Sequence, residues 1–413
     1  MNIIKYVNYF VFWYPLCMSI IMIVGGLIFY NTRRQSEPIK LDNPPFVSIL
    51  IPCYCEQATI RNTIEKLNQL NYPCYEIIAI NDGSKDNTSN ILKELANTYN
   101  RLRVIDLKEN KGKANSLHLG LLASKGEYLM CIDADAYLDK EALNYMIPHF
   151  LKNGQRVGSV TGNPRVVNKN NLLSKIQTCE FSSIVGLSRR SQRILGKIMT
   201  VSGVVVCYRK SALLDVGLWE TDMITEDISI SWLLQKRFWD IRYEPNAICW
   251  MLVPTTIKGL FSQRLRWSQG GLETIIKHKN IFKDIRQRRI YPIFLEQILS
   301  TIWAFSWFFL LITSISNAIT YRNISYLNLI TKDGLFLATI CLIQFFVTAL
   351  MDDEYEKGFF KYFYFAIWYS LLYWYVNGFV SLCSIPNALR LKFRNGEYAT
   401  WTSPDRGDLS ESV

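Results

Sequence analysis

A chain of 413 residues is long enough for two ordinary domains and a large core, but 49% hydrophobic, 14% aromatic and only 20% charged residues are unusual for a soluble enzyme. Its formal net charge of +11 suits nucleic acid, an anionic membrane surface or anionic substrates, and the positive mean hydropathy decides for the membrane and against nucleic acid. Ten scattered cysteines without a CxxC pair exclude a zinc or disulfide framework and read as free thiols in a reducing compartment.

The first element is an uncharged stretch, 9–30 (YFVFWYPLCMSIIMIVGGLIFY), long enough to span a bilayer. Arg33 and Arg34 follow it rather than precede it, which argues for an uncleaved span with the next segment cytoplasmic. From 41 to 289 no comparable apolar stretch occurs. Instead FVSILIPCY (46–54), EIIAIND (76–82), RVIDL (103–107) and EYLMCID (127–133) read as strands. Between them ATIRNTIEKLNQL (58–70), TSNILKELANTY (88–99) and KANSLHLGLLAS (113–124) carry apolar residues three or four apart, as helices do. This alternation predicts βαβ units and a parallel sheet, with polar residues gathered at the carboxyl edge where such sheets bind ligands.

Further apolar runs lie at 291–318, 335–351 and 363–385, the middle one short for a crossing. Four spans place the C-terminal tail outside, whereas its Arg390, Lys392 and Arg394 argue for inside; both assignments stay open. The aromatics of 362–379 suit interfacial belts or helix packing better than a transport path. Glu296, inside the second run, faces either the catalytic domain or such a path. The expected parts are an N-terminal span (1–40), a cytoplasmic catalytic domain (41–255), interfacial helices (256–290), further spans (291–390) and a tail (391–413).

The predicted strand ends carry the chemistry. EYLMCID runs into Asp133 and Asp135, and a carboxylate at a buried strand end is costly unless paired or metal-bound. One intervening residue lets both approach a hard cation, and magnesium takes one or two carboxylates plus substrate phosphates. A bare DxD is equally well a solvated turn; its neighbours tip the balance. The second strand ends in Asp82, and the first in Pro52, Tyr54 and Glu56, with Tyr54 suited to stack on a base. Lys113 follows Gly112 at a helix start, a place for a diphosphate. Together they describe a nucleoside-diphosphate site.

Downstream, Thr225 caps a helix that opens with Glu226 and Asp227, acids that favour its dipole; Asp227 also suits a general base. In FSQRLRWSQGG (261–271), Gln263, Arg266 and Trp267 share one helix face, grouping a guanidinium for a diphosphate with an indole for a sugar ring.

Asp82, Asp133-Ala-Asp135, Thr225-Glu226-Asp227 and Gln263-Arg-Leu-Arg266-Trp267 stand in the order found in the processive family 2 glycosyltransferases, and the chain resembles that family. NKGKAN, VTGNPRV, DMITEDISISW, QRLRWSQGG and the tail YATWTSPDRG extend the resemblance to the bacterial synthases of poly-β-1,6-N-acetylglucosamine, the polymer of biofilm exopolysaccharide. The resemblance implies a Rossmann-like GT-A domain of α/β class inserted between transmembrane helices of a multi-pass plasma-membrane protein. It further implies UDP-N-acetylglucosamine as donor, Mg2+ or Mn2+ at Asp135, and a growing poly-N-acetylglucosamine chain as acceptor. Pro52, Tyr54, Glu56, Asp82, Lys113 and Asp133 would bind the donor, with Gln263 and Arg266 on its diphosphate. Asp227 with Glu226 and Arg266 would be catalytic, Trp267 would stack on the acceptor, and a small membrane accessory subunit would assist. A hyaluronan- or chitin-type polymerase is the neighbouring alternative, and a non-catalytic membrane scaffold the alternative of another class.

Overall fold

The computed structural model describes residues 2–33, 37–152, 156–329, 332–390 and 398–400. In chain order the elements begin with α1 (Asn2–Thr32), β1 (Val47–Cys53), α2 (Ile60–Leu67), β2 (Tyr75–Asp82), α3 (Thr88–Thr98), β3 (Leu102–Leu107) and α4 (Lys113–Ala123). There follow β4 (Tyr128–Ile132), β5 (Ala136–Leu138), α5 (Ala142–Met146), α6 (Pro148–Lys152) and β6 (Val157–Val166). Next, α7 (Leu172–Phe181) runs through a π-helical stretch, Ser182–Leu187, into α8 (Ser188–Leu195). Then come β7 (Val205–Arg209), α9 (Lys210–Val216), α10 (Glu226–Lys236), β8 (Asp240–Met251) and α11 (Ile257–His278). The last helices are α12 (Tyr291–Thr320), α13 (Lys332–Asp352), α14 (Phe360–Ala366) and α15 (Tyr369–Leu389).

The elements form two compact units. The α/β unit (34–174, 196–260 and the tail from 391) holds an eight-stranded sheet in the order β3-β2-β1-β4-β7-β6-β8-β5. Strands β1 to β4 are mutually parallel, as the alternation predicts, and every residue of β1, β2 and β4 is buried, as strands covered on both faces must be. The other half is mixed: β7 is antiparallel to β4 and β6, β6 is parallel to β8, and β5 is antiparallel to β8. The expected all-parallel sheet is therefore corrected to a mixed one. Strand β6 (VGSVTGNPRV) escaped prediction because Gly158, Gly162 and Pro164 read as turn residues. At Gly162 a Cβ would come within 2.4 Å of the Ala247 carbonyl, so glycine there admits the neighbouring backbone.

The chain order reverses at β1, which lies between β2 and β4. Pairing with β4 ends at Leu50–Cys131, while pairing with β2 continues to Cys53–Asn81. Pro52, which has no N–H to give, lies in that unpaired last part, where the crevice of a doubly wound sheet opens.

The helical unit comprises 1–33, 175–195 and 261–390. Residues 175–195, expected inside the catalytic domain, pack with these helices instead. Among the described residues three segments are long and apolar enough to cross a membrane: Ile3–Thr32, Tyr291–Thr320 and Ile324–Asp352. The fourth predicted run, 363–385, divides into α14 and α15 at Ile367 and Trp368. Two of its aromatics pack on neighbouring helices: Trp374 meets Trp303 edge-on and donates to the Leu337 carbonyl, and Tyr375 meets Trp307. The Glu296 side chain accepts from the Tyr14 hydroxyl of α1 at 3.4 Å. Arg34, Lys392, Arg394 and the tail motif from Trp401 onward lie outside the described residues.

A buried ion pair ties this unit together. The fully buried Arg190 of α8 donates to Asp352 at the end of α13 at 2.7 Å, and Ser182 donates to the same carboxylate. Asp352→Ala removes a counter-charge from this buried guanidinium and is expected to cost about 3–5 kcal/mol. Thermal unfolding in detergent reads this, and an unchanged midpoint would show that Arg190 finds another partner.

Candidate active site

The carboxyl ends of β2 and β4 border the crevice, and each delivers an acid. Asp82 closes β2 and accepts the backbone N–H groups of Lys111 (3.0 Å) and Gly112 (2.8 Å). Burial raises its pKa, only partly offset by these two donors. Asp82 thus fixes the loop that starts α4. Gly112 has φ +87° and takes the N-cap position, and a Cβ there would come within 2.4 Å of the Ala399 carbonyl. The described start of the tail therefore lies against this loop, with Ala399 N–H donating to Thr221 O at 2.9 Å. Glu56, after β1, is 2% exposed and accepts from Thr59 (2.8 Å) at the start of α2, while Tyr54 is half-buried.

Lys113, the first residue of α4, points into the crevice. Its ammonium lies 2.6 Å from Asp133 Oδ1, 3.0 Å from Glu226 Oε1 and 3.4 Å from the Gly203 carbonyl. Burial alone would lower its pKa, but Asp133 and then Glu226 hold it well above the ordinary lysine value, so it stays charged. Asp227, next to Glu226 at the start of α10, is held by both oxygens: Oδ1 accepts from Ile228 N–H (2.9 Å) and Oδ2 from Gly203 N–H (3.1 Å). Burial first, then the charge of Glu226, pushes its pKa up to about 6, against the pull of Lys113. Thr225 occupies the N-cap position as predicted, but its hydroxyl does not cap the helix and has no hydrogen-bond partner among the described residues.

Asp135 follows Asp133 at the mouth of β4, and both carboxylates, after burial, raise the Cys249 thiol, so they converge on one region. Asp133, Glu226 and Asp227 thus gather around the Lys113 ammonium. No cluster of three or more ligating side chains exists among the described residues. Asp133 and Asp135 therefore fit an ion shared with a ligand's phosphates better than a closed protein cage.

The Gln263–Trp267 group lies on α11, in the helical unit. Gln263 is buried and Arg266 half-buried, but the tightly held member is Arg264, which does not share the predicted face. It donates to Glu180 of α7 at 2.7 Å and stacks 4.5 Å over the Trp267 ring, while Phe181 meets that ring edge-on. The structure thus brings Lys113, Asp133, Glu226 and Asp227 together, with Gly203 beside them. In sequence, Ser202-Gly203-Val204 stands where cellulose synthases carry an aromatic-rich motif, and the departure from that motif leaves Gly203 without a role by resemblance. Arg264 was legible only as one of two arginines in the motif.

The chain resembles several known proteins. A model of glycosyl transferase family 2 matches residues 48–217. A poly-beta-1,6-N-acetyl-D-glucosamine synthase of Staphylococcus epidermidis is 42% identical over 97% of this chain and 98% of its own length. The protein of the same name from Staphylococcus aureus (strain COL) is 41% identical over 97% and 98%. Among solved structures, a mannosyltransferase from Pyrobaculum calidifontis in complex with GDP-Man and Mn2+ superposes with TM-score 0.63 at 17% identity, covering 86% of this chain and 99% of its own. Fold and crevice therefore define a glycosyltransferase with a GT-A-like catalytic unit. The chain belongs to glycosyl transferase family 2, among the poly-beta-1,6-N-acetyl-D-glucosamine synthases.

Proposed function

We propose that this protein polymerises UDP-N-acetylglucosamine into poly-β-1,6-N-acetylglucosamine, adding each sugar with inversion at its anomeric carbon. The observation that carries the reading is the Lys113 ammonium set between the donor-side Asp133 and the base-side Glu226 and Asp227. Such an arrangement puts acid–base chemistry beside a site for a nucleoside diphosphate. The full-length relatives support the donor and the linkage.

In this reading Pro52, Tyr54, Glu56, Asp82 and Asp133 form the nucleoside side of the donor site, and Lys113 faces the diphosphate. Asp227 Oδ2 takes the proton of the acceptor hydroxyl as its oxygen bonds to the anomeric carbon. The bond from that carbon to the diphosphate breaks on the opposite face, so an α-linked donor yields a β-linked product. Glu226 keeps Lys113 in place and raises the basicity of Asp227. By resemblance, Gln263 and Arg266 steady the departing UDP and Trp267 stacks on the acceptor. Asp135, with Asp133 beside it, would hold a divalent cation, Mg2+ or Mn2+, which when bound neutralises charge on the leaving diphosphate.

In this reading the enzyme sits in the bilayer with its α/β unit cytoplasmic, where the donor is available, and works with a small membrane subunit; the three long apolar helices support the membrane part. The test uses membranes carrying the chain, supplied with UDP-N-acetylglucosamine and a divalent cation. Expected are cation-dependent UDP release and a polymer degraded by a β-1,6-N-acetylglucosaminidase. A polymer resisting that hydrolase overturns the linkage; no UDP release even with the partner subunit supplied overturns the whole reading.

A further inference from the structure

The ladder between β1 and β2 ends at Cys53–Asn81, yet the two chains stay joined beyond it. Three consecutive N–H groups of the loop after β1 are taken by side chains of the loop after β2. Cys55 N–H donates to Ser84 Oγ at 2.9 Å, Glu56 N–H to Thr88 Oγ1 at 2.9 Å and Gln57 N–H to Asp86 Oδ2 at 3.1 Å. In return, Gln57 Oε1 accepts the N–H of Asn87 at 3.0 Å. Asp86 stands at the centre of this arrangement. Its Oδ1 accepts the N–H (3.1 Å) and the hydroxyl (2.6 Å) of Thr88 at the start of α3, while Oδ2 reaches across to the other loop. Cys55 has φ +57°, a left-handed conformation that a residue other than glycine keeps only where other contacts dictate it.

The residues so held belong to the nucleoside side of the donor site. Tyr54 precedes the strained Cys55, Glu56 is itself one of the three, and Asp82 closes β2 two residues before Ser84. A loop without a ladder of its own would otherwise have to be ordered by the ligand, and that ordering weakens binding. We propose that Ser84, Asp86 and Thr88 are positioning residues for nucleoside recognition: their side chains continue the β1–β2 pairing past the strands and preset Tyr54 and Glu56 for the base and ribose. None of the three needs to touch the donor. Asp86 is central because the task takes both its oxygens, one for each loop, and asparagine offers only one. The inference rests on the donor being a nucleoside diphosphate bound at these strand ends.

The test is Asp86→Asn in the full-length chain, which keeps the volume of the side chain and releases one of the two loops. UDP and inorganic pyrophosphate, each with Mn2+, are the probes, because only UDP carries a nucleoside. UDP affinity is expected to fall about tenfold, the lower end of what a hydrogen bond to a charged group is worth, with the donor KM rising in step. Pyrophosphate affinity and kcat at saturating donor are expected to stay at native levels. A merely structural role would weaken both probes together, and that result overturns the proposal, as does native UDP affinity. Ser84→Ala, which releases Cys55 alone, is expected to show the same split with a smaller loss. Should neither variant fold, amide hydrogen exchange in the native chain decides. Residues 55–57 are expected to exchange slowly before UDP is added; fast exchange that slows only with UDP overturns the proposal. Failure of the native chain to bind UDP removes the donor reading, and the proposal with it, whatever the variants do.

Discussion

Asp227→Asn is expected to reduce polymer formation by about 10²- to 10⁴-fold, the usual contribution of a positioned base, with UDP binding little changed. Asparagine preserves shape and one acceptor oxygen but cannot take a proton. The pKa of about 6 predicts the pH dependence as well. Transfer requires the ionised carboxylate, so kcat/KM should have an acidic limb near pH 6 that is missing from the residual activity of the variant. Stability runs the other way. A carboxyl group whose folded pKa is raised gives its full stabilisation below its unfolded value, about 4, and loses it as the pH rises through about 6. Asp227→Asn is therefore expected to flatten the fall in stability between those values. An acidic limb that persists unchanged in the variant would assign that titration to another group.

The second large effect is expected at Lys113. Lys113→Met keeps an unbranched apolar stem and removes the ammonium that faces Asp133, Glu226 and Asp227. Turnover should fall by about 10²- to 10³-fold, the scale of losing one preorganised electrostatic contact. Because Lys113 opposes the rise in the Asp227 pKa, its removal should also move the acidic limb to higher pH. Lys113→Arg is not expected to restore either property, since a planar guanidinium does not fit where a compact ammonium is buried. Lost turnover with an unmoved limb would confine Lys113 to the donor and break its link to the base.

Much of the α/β unit is legible without coordinates. Strands β1 to β4 and helices α2 to α4 follow from apolar periodicity, and their ends fall within a few residues of the pattern. Asp133 and Asp135 stand out because charge abruptly ends an apolar run. Where the pattern fails, long-range pairing is the cause. Residues 175–195 carry Arg189, Arg190 and Arg193 and read as soluble, yet Arg190 is buried because Asp352 arrives from α13 to meet it. Thr225 has the right type and position for a cap, and Asp227 instead accepts the N–H of Ile228.

The amino-acid sequence by itself determined the parallel half of the sheet, the acids at its strand ends, the apolar segments and the family, because all of these reside in local patterns and short motifs. Only the tertiary structure decided that Lys113 joins Asp133 to Glu226, that Arg264 rather than Arg266 is clamped by Glu180, and that Gly203 faces Asp227. Those relations depend on which surfaces the folded chain brings within a few ångströms, and an ion pair between distant segments leaves no periodic trace in either one.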